Sequence, residues 1–90
     1  MDIVNYKCNF LGKVQGVGFR YTSLQIAGDF AVVGFVRNEA DGSVSLEVEG
    51  SRNEVTAFLD KLKAQMSANI QSSTMEEGNI KGFNEFIIER

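Results

Sequence analysis

The stretch Gly12-Lys13-Val14-Gln15-Gly16-Val17-Gly18-Phe19-Arg20 sits between two different periodicities. Before it, Ile3 to Leu11 alternates. Val4, Tyr6, Cys8 and Phe10 fall on one face and Asn5, Lys7 and Asn9 on the other, the pattern of a strand with one buried side. After it, Phe19, Ser23, Ile26, Ala27 and Phe30 recur at helical spacing, which predicts a helix over residues 19–31. A strand that runs through Gly12, Gly16 and Gly18 into a helix opens a βα unit. Glycines in such a loop can take positive φ, and nothing shields their N–H groups. Loop amides, a helix N-terminus and the Arg20 guanidinium together suit a phosphate-sized anion.

Each part has a plainer use. The glycines alone do no more than allow a tight strand-to-helix turn. Arg20 alone is a solvated cation, although at a helix start it opposes the macrodipole by ~0.3–1 kcal/mol, a conflict that a bound anion removes. Two large phosphate-binding classes drop out. Position 21 is tyrosine, so the dinucleotide fingerprint fails, and no Gly-Lys-Ser/Thr closes the loop as the Walker pattern requires.

Further along, Val32 to Asn38 is short and β-branched, a second strand. Ala40-Asp41-Gly42-Ser43 supplies a hairpin turn. Val44, Leu46 and Val48 alternate with Ser45, Glu47 and Glu49, which predicts a third strand with one wet face. Ser51-Arg52-Asn53-Glu54 fits a capping box, with Ser51 capping and Glu54 reaching back. Val55, Phe58, Leu59, Leu62 and Met66 form the stripe of a second helix. Residues 67–82 are polar, with room for a short strand around Ile70, and Phe83 to Glu89 reads as a closing strand. The order βαββαβ implies a ferredoxin-like α+β sandwich, an antiparallel sheet with both helices on one face. In that topology the first and second strands run parallel with the third between them. Their C-terminal ends lie roughly 10 Å apart on one sheet edge. The glycine loop leaves one end and Asn38 finishes the other.

Composition narrows the chemistry. There is no histidine, so no Ser-His-Asp or Cys-His pair forms and no histidine metal cluster. The single Cys8 gives no internal disulfide and no cysteine-rich metal site, and reads as a small core residue. The net charge of −3 has the wrong sign for a general nucleic-acid binder. Neither a membrane span nor signal-peptide features are read, so the expected setting is the cytoplasm. Ninety residues suit one domain, 1–90.

The loop resembles the first acylphosphatase motif, G-x-V-Q-G-V-x-F-R. Gly34-Phe35-Val36-Arg37-Asn38, followed by Asp41-Gly42, resembles the second, with Phe35 where tryptophan is common. The resemblance spans nearly the whole chain, and residues 67–82, which lack proline, fit it less well. It implies hydrolysis of acyl phosphates to carboxylate and inorganic phosphate. It also implies that Arg20 and the backbone amides of Gln15, Gly16, Val17, Gly18, Phe19 and Arg20 hold the phosphoryl group, and that Asn38 positions the attacking water.

Physical chemistry accommodates a reaction with neither metal nor cofactor. A carboxylate leaving group of pKa ~4–5 needs little protonation, so a general acid is dispensable. A loose phosphoryl-transfer transition state asks mostly for charge stabilisation and in-line placement. The expected partners are therefore a small-molecule acyl phosphate and inorganic phosphate as product and inhibitor, with no nucleic acid and no membrane, on a monomer. Two other readings share the fold. An RNA-recognition module needs stacking aromatics on the third strand, where Ser43 to Glu49 offers none and two acids. An anion-sensing accessory module would use the same binding residues.

Overall fold

The structure, a computed structural model, describes residues 2–90, so Met1 of the expected 1–90 domain lies outside the described residues. Seven elements follow in order: β1 (Ile3–Gly12), α1 (Phe19–Ala27), β2 (Val32–Asn38), β3 (Val44–Ser51), α2 (Arg52–Gln65), β4 (Ile70–Gly78) and β5 (Phe86–Ile88). They build one five-stranded sheet of order β4-β1-β3-β2-β5. β3 pairs antiparallel with both β1 and β2, so those two run parallel, as the ferredoxin-like topology requires.

One face of the sheet and both helices enclose the core. Val4, Cys8 and Phe10 of β1, Val36 of β2 and Leu46 and Val48 of β3 meet Phe19 and Ile26 of α1 and Val55, Phe58 and Leu62 of α2. Phe58 is fully buried, with the rings of Phe30 and Phe86 edge-on to it at 6.5 and 5.5 Å. Burial pushes the Cys8 thiol up to about 11, a little offset by Lys63, and leaves it a poor nucleophile.

Several expectations need correction. The helix predicted over 19–31 ends at Ala27; Gly28 caps it, and Phe30 donates its N–H to the Ala27 carbonyl in a turn. The capping box is half made. Ser51 Oγ accepts from the Glu54 N–H, but the Glu54 carboxylate accepts from the Ala31 N–H instead of reaching back, and so ties α2 to the start of β2. Residues 67–82 contain a nine-residue edge strand, β4, antiparallel to β1, where only a short strand was expected. The closing segment contributes a fifth strand, β5, which begins at Phe86 and pairs parallel with β2. The sheet is therefore mixed.

The largest departure lies on the face away from the helices. Asn5, Glu47 and Glu49 were expected on a wet face, yet Asn5 is fully buried and Glu49 is 3% exposed. The chain between β4 and β5 covers them. Glu49 Oε2 accepts from the Lys81 N–H and Asn5 Nδ2, and Oε1 accepts from the Gly82 and Phe83 N–H groups. Glu47 accepts from the Lys81 ammonium and from Asn5 Nδ2. Burial alone would raise the Glu49 pKa. The three amides and Asn5 outweigh it and hold the carboxyl below its ordinary value.

Glu49 therefore favours the fold in its charged form. That stability is present at neutral pH and fades as pH falls through the lowered folded-state pKa. Glu49→Gln replaces one acceptor oxygen with a donor facing other donors. Chemical denaturation should show a loss of about 2 kcal/mol at pH 7, narrowing towards zero in acid. A variant as stable as wild type at pH 7 would contradict this reading.

Candidate active site

Strand register assembles the site. Phe10 of β1 and Asn38 of β2 both pair with Val44 of β3, so both lie at the same level of the sheet, two strand spacings or ~10 Å apart. Past Phe10 the register of β1 against β4 shifts between Leu11 and Gly12, the strand ends, and the loop begins. The Lys13 N–H donates to the Asn69 carbonyl and fixes that departure.

Two glycines give the loop its shape. Gly16 has φ 74° and Gly18 has φ 80°, and a Cβ at either would meet nothing within 4 Å. The sequence therefore needs glycine here for backbone conformation, not for space. Gly18 is also the N-cap of α1. It offers no side-chain cap, and the first turn of α1 carries no acid. The first amides of the helix have no acceptor within it and lie at the positive end of the dipole. Behind them Phe19 is buried against Phe10 with ring centroids 5.1 Å apart, which pins the helix start to the sheet.

A cleft of about 80 Å³ opens at this point, between Gly16, Gly18, Arg20, Tyr21 and Asn38, over the buried Val14 and Phe19. It exceeds several-fold the ~10–15 Å³ needed to admit one water. Arg20 and Asn38, on different elements, face one space. Among the described residues Arg20 has no carboxylate within ion-pair distance, so its charge is uncompensated by the protein there.

The other expected site residues divide. Gly16, Gly18 and Phe19 line the cleft, while Val17 packs against the core and the Gln15 side chain turns towards the β2–β3 hairpin. Arg37 of the second motif is a brace. It spans Glu39 and Glu89 at 3.0 and 2.6 Å and lies over the Phe35 ring at 5.1 Å, and those carboxylates, Glu39 foremost, raise its pKa. Tyr21, 70% exposed beside Arg20, and the Gln15 amide were not legible as site features, because neither burial nor side-chain direction follows from the glycine pattern.

A larger groove of about 480 Å³ lies on the helix-free face of the sheet, between Asn9, Phe35, Arg37 and Glu47. Arg37 there is paired with Glu39 and Glu89 and Glu47 with Lys81, while Lys7 and Glu76 of its lining are in no ion pair among the described residues; the groove has no glycine loop or helix start to offer amides. The smaller cleft is the one that combines a glycine loop, a helix start and an arginine without an ion-pair partner. Among the described residues no group of three or more His, Cys, Asp or Glu side chains is placed to hold a metal ion.

The acylphosphatase family model matches residues 6–88. An acylphosphatase of Ligilactobacillus salivarius is 37% identical over 86 residues, covering 93% of this chain and 96% of that protein. One from Thermotoga maritima is 38% identical over 78 residues, covering 86% of this chain and 87% of its own length. The crystal structure of acylphosphatase from Bacillus subtilis superposes with a TM-score of 0.87 at 28% identity, covering 97% of this chain and 99% of that one.

Gly18→Asn should be tolerated better than Gly18→Val. Asparagine visits the left-handed region and serves as an N-cap, whereas a β-branched residue there is strained by ~1–3 kcal/mol. Thermal or chemical denaturation of both variants checks this; equal losses would mean that φ at position 18 is not the constraint.

Proposed function

The chain belongs to the acylphosphatase family, hydrolases of acid anhydrides, and we propose that Arg20, the loop amides and Asn38 divide the work of acyl phosphate hydrolysis. One observation carries the assignment: an uncompensated arginine, two left-handed glycines, an uncapped helix start and an asparagine meet at one small cleft.

The phosphoryl group enters the cleft and takes charge-assisted hydrogen bonds from the Arg20 guanidinium. The amides of Gln15, Gly16, Val17, Gly18, Phe19 and Arg20 complete the cradle. Asn38 accepts a hydrogen bond from water through its amide oxygen and holds that water opposite the leaving group. The water oxygen forms a bond to phosphorus as the bond from phosphorus to the acyl oxygen breaks. The bonding pair leaves with the carboxylate, and a water proton passes to the phosphate product. Asn38 is no strong base, so the water attacks without prior deprotonation. Arg20 and the amides stabilise the charge on the equatorial oxygens, the task for which phosphoryl transfer often recruits Mg²⁺.

The same reading takes residues 1–90 as a single domain acting as a cytoplasmic monomer, with inorganic phosphate as product and inhibitor. A lone buried thiol, which can form no internal disulfide, supports the reducing setting. No helix among the described residues is long and apolar enough to cross a membrane. An RNA-recognition role is disfavoured, because the outward residues of β3 are Ser45, Glu47 and Glu49, with both acids buried in polar contacts.

Arg20→Gln should weaken inhibition by inorganic phosphate and lower kcat/KM together, by ~10²-fold or more. Asn38→Ala should nearly abolish turnover while phosphate inhibition stays close to wild type. Loss of phosphate inhibition with turnover retained in Asn38→Ala would reverse the two roles. Separately, turnover should survive exhaustive chelation and gain nothing from added Mg²⁺; restoration of a chelated enzyme by Mg²⁺ would assign the charge to a metal instead.

A further inference from the structure

The side chain of Gln15 does not face the cleft. Its Nε2 donates to the Glu39 carbonyl at 2.8 Å and to the Ser43 carbonyl at 2.9 Å. Those carbonyls stand at the two ends of the β2–β3 hairpin turn. Each already accepts one turn hydrogen bond, Ser43 from the Glu39 N–H and Glu39 from the Gly42 N–H. The Gln15 amide fills the second lone pair of each. One primary amide thus bridges the loop that carries the anion cradle to the turn that directly follows Asn38.

The far side of the turn is rigid. Asp41 Oδ1 accepts from the Ser43 N–H and Oγ at 2.9 and 2.6 Å, and Asn9 Nδ2 on β1 donates to Ser43 Oγ at 3.0 Å. Ser43 is 1% exposed. The hairpin is therefore tied to β1 by Asn9 and to the loop by Gln15, and the loop itself lacks pairing of its own. Sheet register sets the level of Asn38, but it cannot set the loop, which has left the sheet by Gly12.

We propose that Gln15 is a positioning residue that fixes the distance between the anion held by the loop and the water held by Asn38. The proposal rests on the acylphosphatase reading above. It separates two functions of one residue, a backbone amide in the cradle and a side chain that spans from cradle to hairpin. A neutral primary amide, with two N–H donors on one nitrogen, matches the two carbonyls. A carboxylate would face two carbonyl oxygens with no proton, and an aliphatic chain would leave each carbonyl without its second partner.

Gln15→Met and Gln15→Glu test it. A misplacement of about 1 Å costs on the order of 10²-fold in rate. Gln15→Met should lower kcat by 10- to 100-fold, while inhibition by inorganic phosphate stays within a few-fold of wild type. Backbone amide exchange should quicken in residues 39–43 and not in α2. In Gln15→Glu, the ratio of variant to wild-type kcat should rise as pH falls from 7 to 5, because the protonated carboxyl regains one donor. The neighbouring Glu39 and Asp41 do not account for such a change. Hydrogen bonds from Ser45 and Arg37 to Glu39, and from Ser43 to Asp41, hold both carboxyls below their ordinary values.

Wild-type kcat in a folded Gln15→Met, or a flat ratio for Gln15→Glu, would overturn the proposal. So would loss of phosphate inhibition in step with kcat, which would place the side chain on the anion. If Gln15→Met does not fold, the Gln15→Glu ratio and its hairpin exchange decide alone. A wild-type protein without acyl phosphate hydrolysis would overturn the functional reading itself, whereas an active wild type with an unaffected Gln15→Met overturns only this inference.

Discussion

Val44 pairs with Phe10 on one side and Asn38 on the other, and the candidate site depends on that double pairing. It makes β1 and β2 parallel without contact between them. It also brings the exit of one and the end of the other to a common edge. A one-residue slip of β3 against either neighbour would turn its inward residues to the other face and move Asn38 off level with the loop. The core forbids that slip, because Val44, Leu46 and Val48 are all buried against the helices while Ser45, Glu47 and Glu49 meet polar partners on the other face. Packing energy spread over the sheet thus becomes positional accuracy at one edge.

What the sheet does not control, local hydrogen bonds supply. The loop between β1 and α1 has left the ladder, and its glycines are chosen for φ. Phe19 anchors one end of it in the core, the Lys13 N–H anchors the other to Asn69, and the Gln15 amide holds its middle to the hairpin. Under the proposed mechanism the chemistry asked of this frame is modest: an arginine and amides for charge, and an asparagine for water. An acyl phosphate already carries a good leaving group, so accurate placement counts for more than acid–base power.

The elements that sequence reveals are those with one apolar side. β1, β2, β3 and α2 were legible because alternation or a helical stripe marks a surface that must be buried. β4 was not, since most of its residues are exposed on both faces, and an edge strand held by backbone pairing leaves no side-chain period. The burial of Asn5, Glu47 and Glu49 was hidden for a related reason. Their cover is the backbone N–H groups of residues 81–83, which every sequence has and no composition announces. The parallel pairing of β5 likewise rests on three residues too few to show a direction. Arg20 and Asn38 were legible because their motifs are specific, and the structure places both at one cleft. The clamp by Gln15 was not, because a side chain's direction is set by the turn it meets.

Under the proposed mechanism, charge stabilisation by Arg20 and the loop amides suffices when the leaving group is a carboxylate, and fails when it is an alkoxide. Rates of the purified protein on a model acyl phosphate and on an alkyl phosphate monoester, at equal concentrations and neutral pH, test it most directly. The account predicts ready release of phosphate from the anhydride and none above background from the monoester. Comparable rates on both would require a general acid, for which the cleft offers nothing beyond the Tyr21 phenol, and would contradict it.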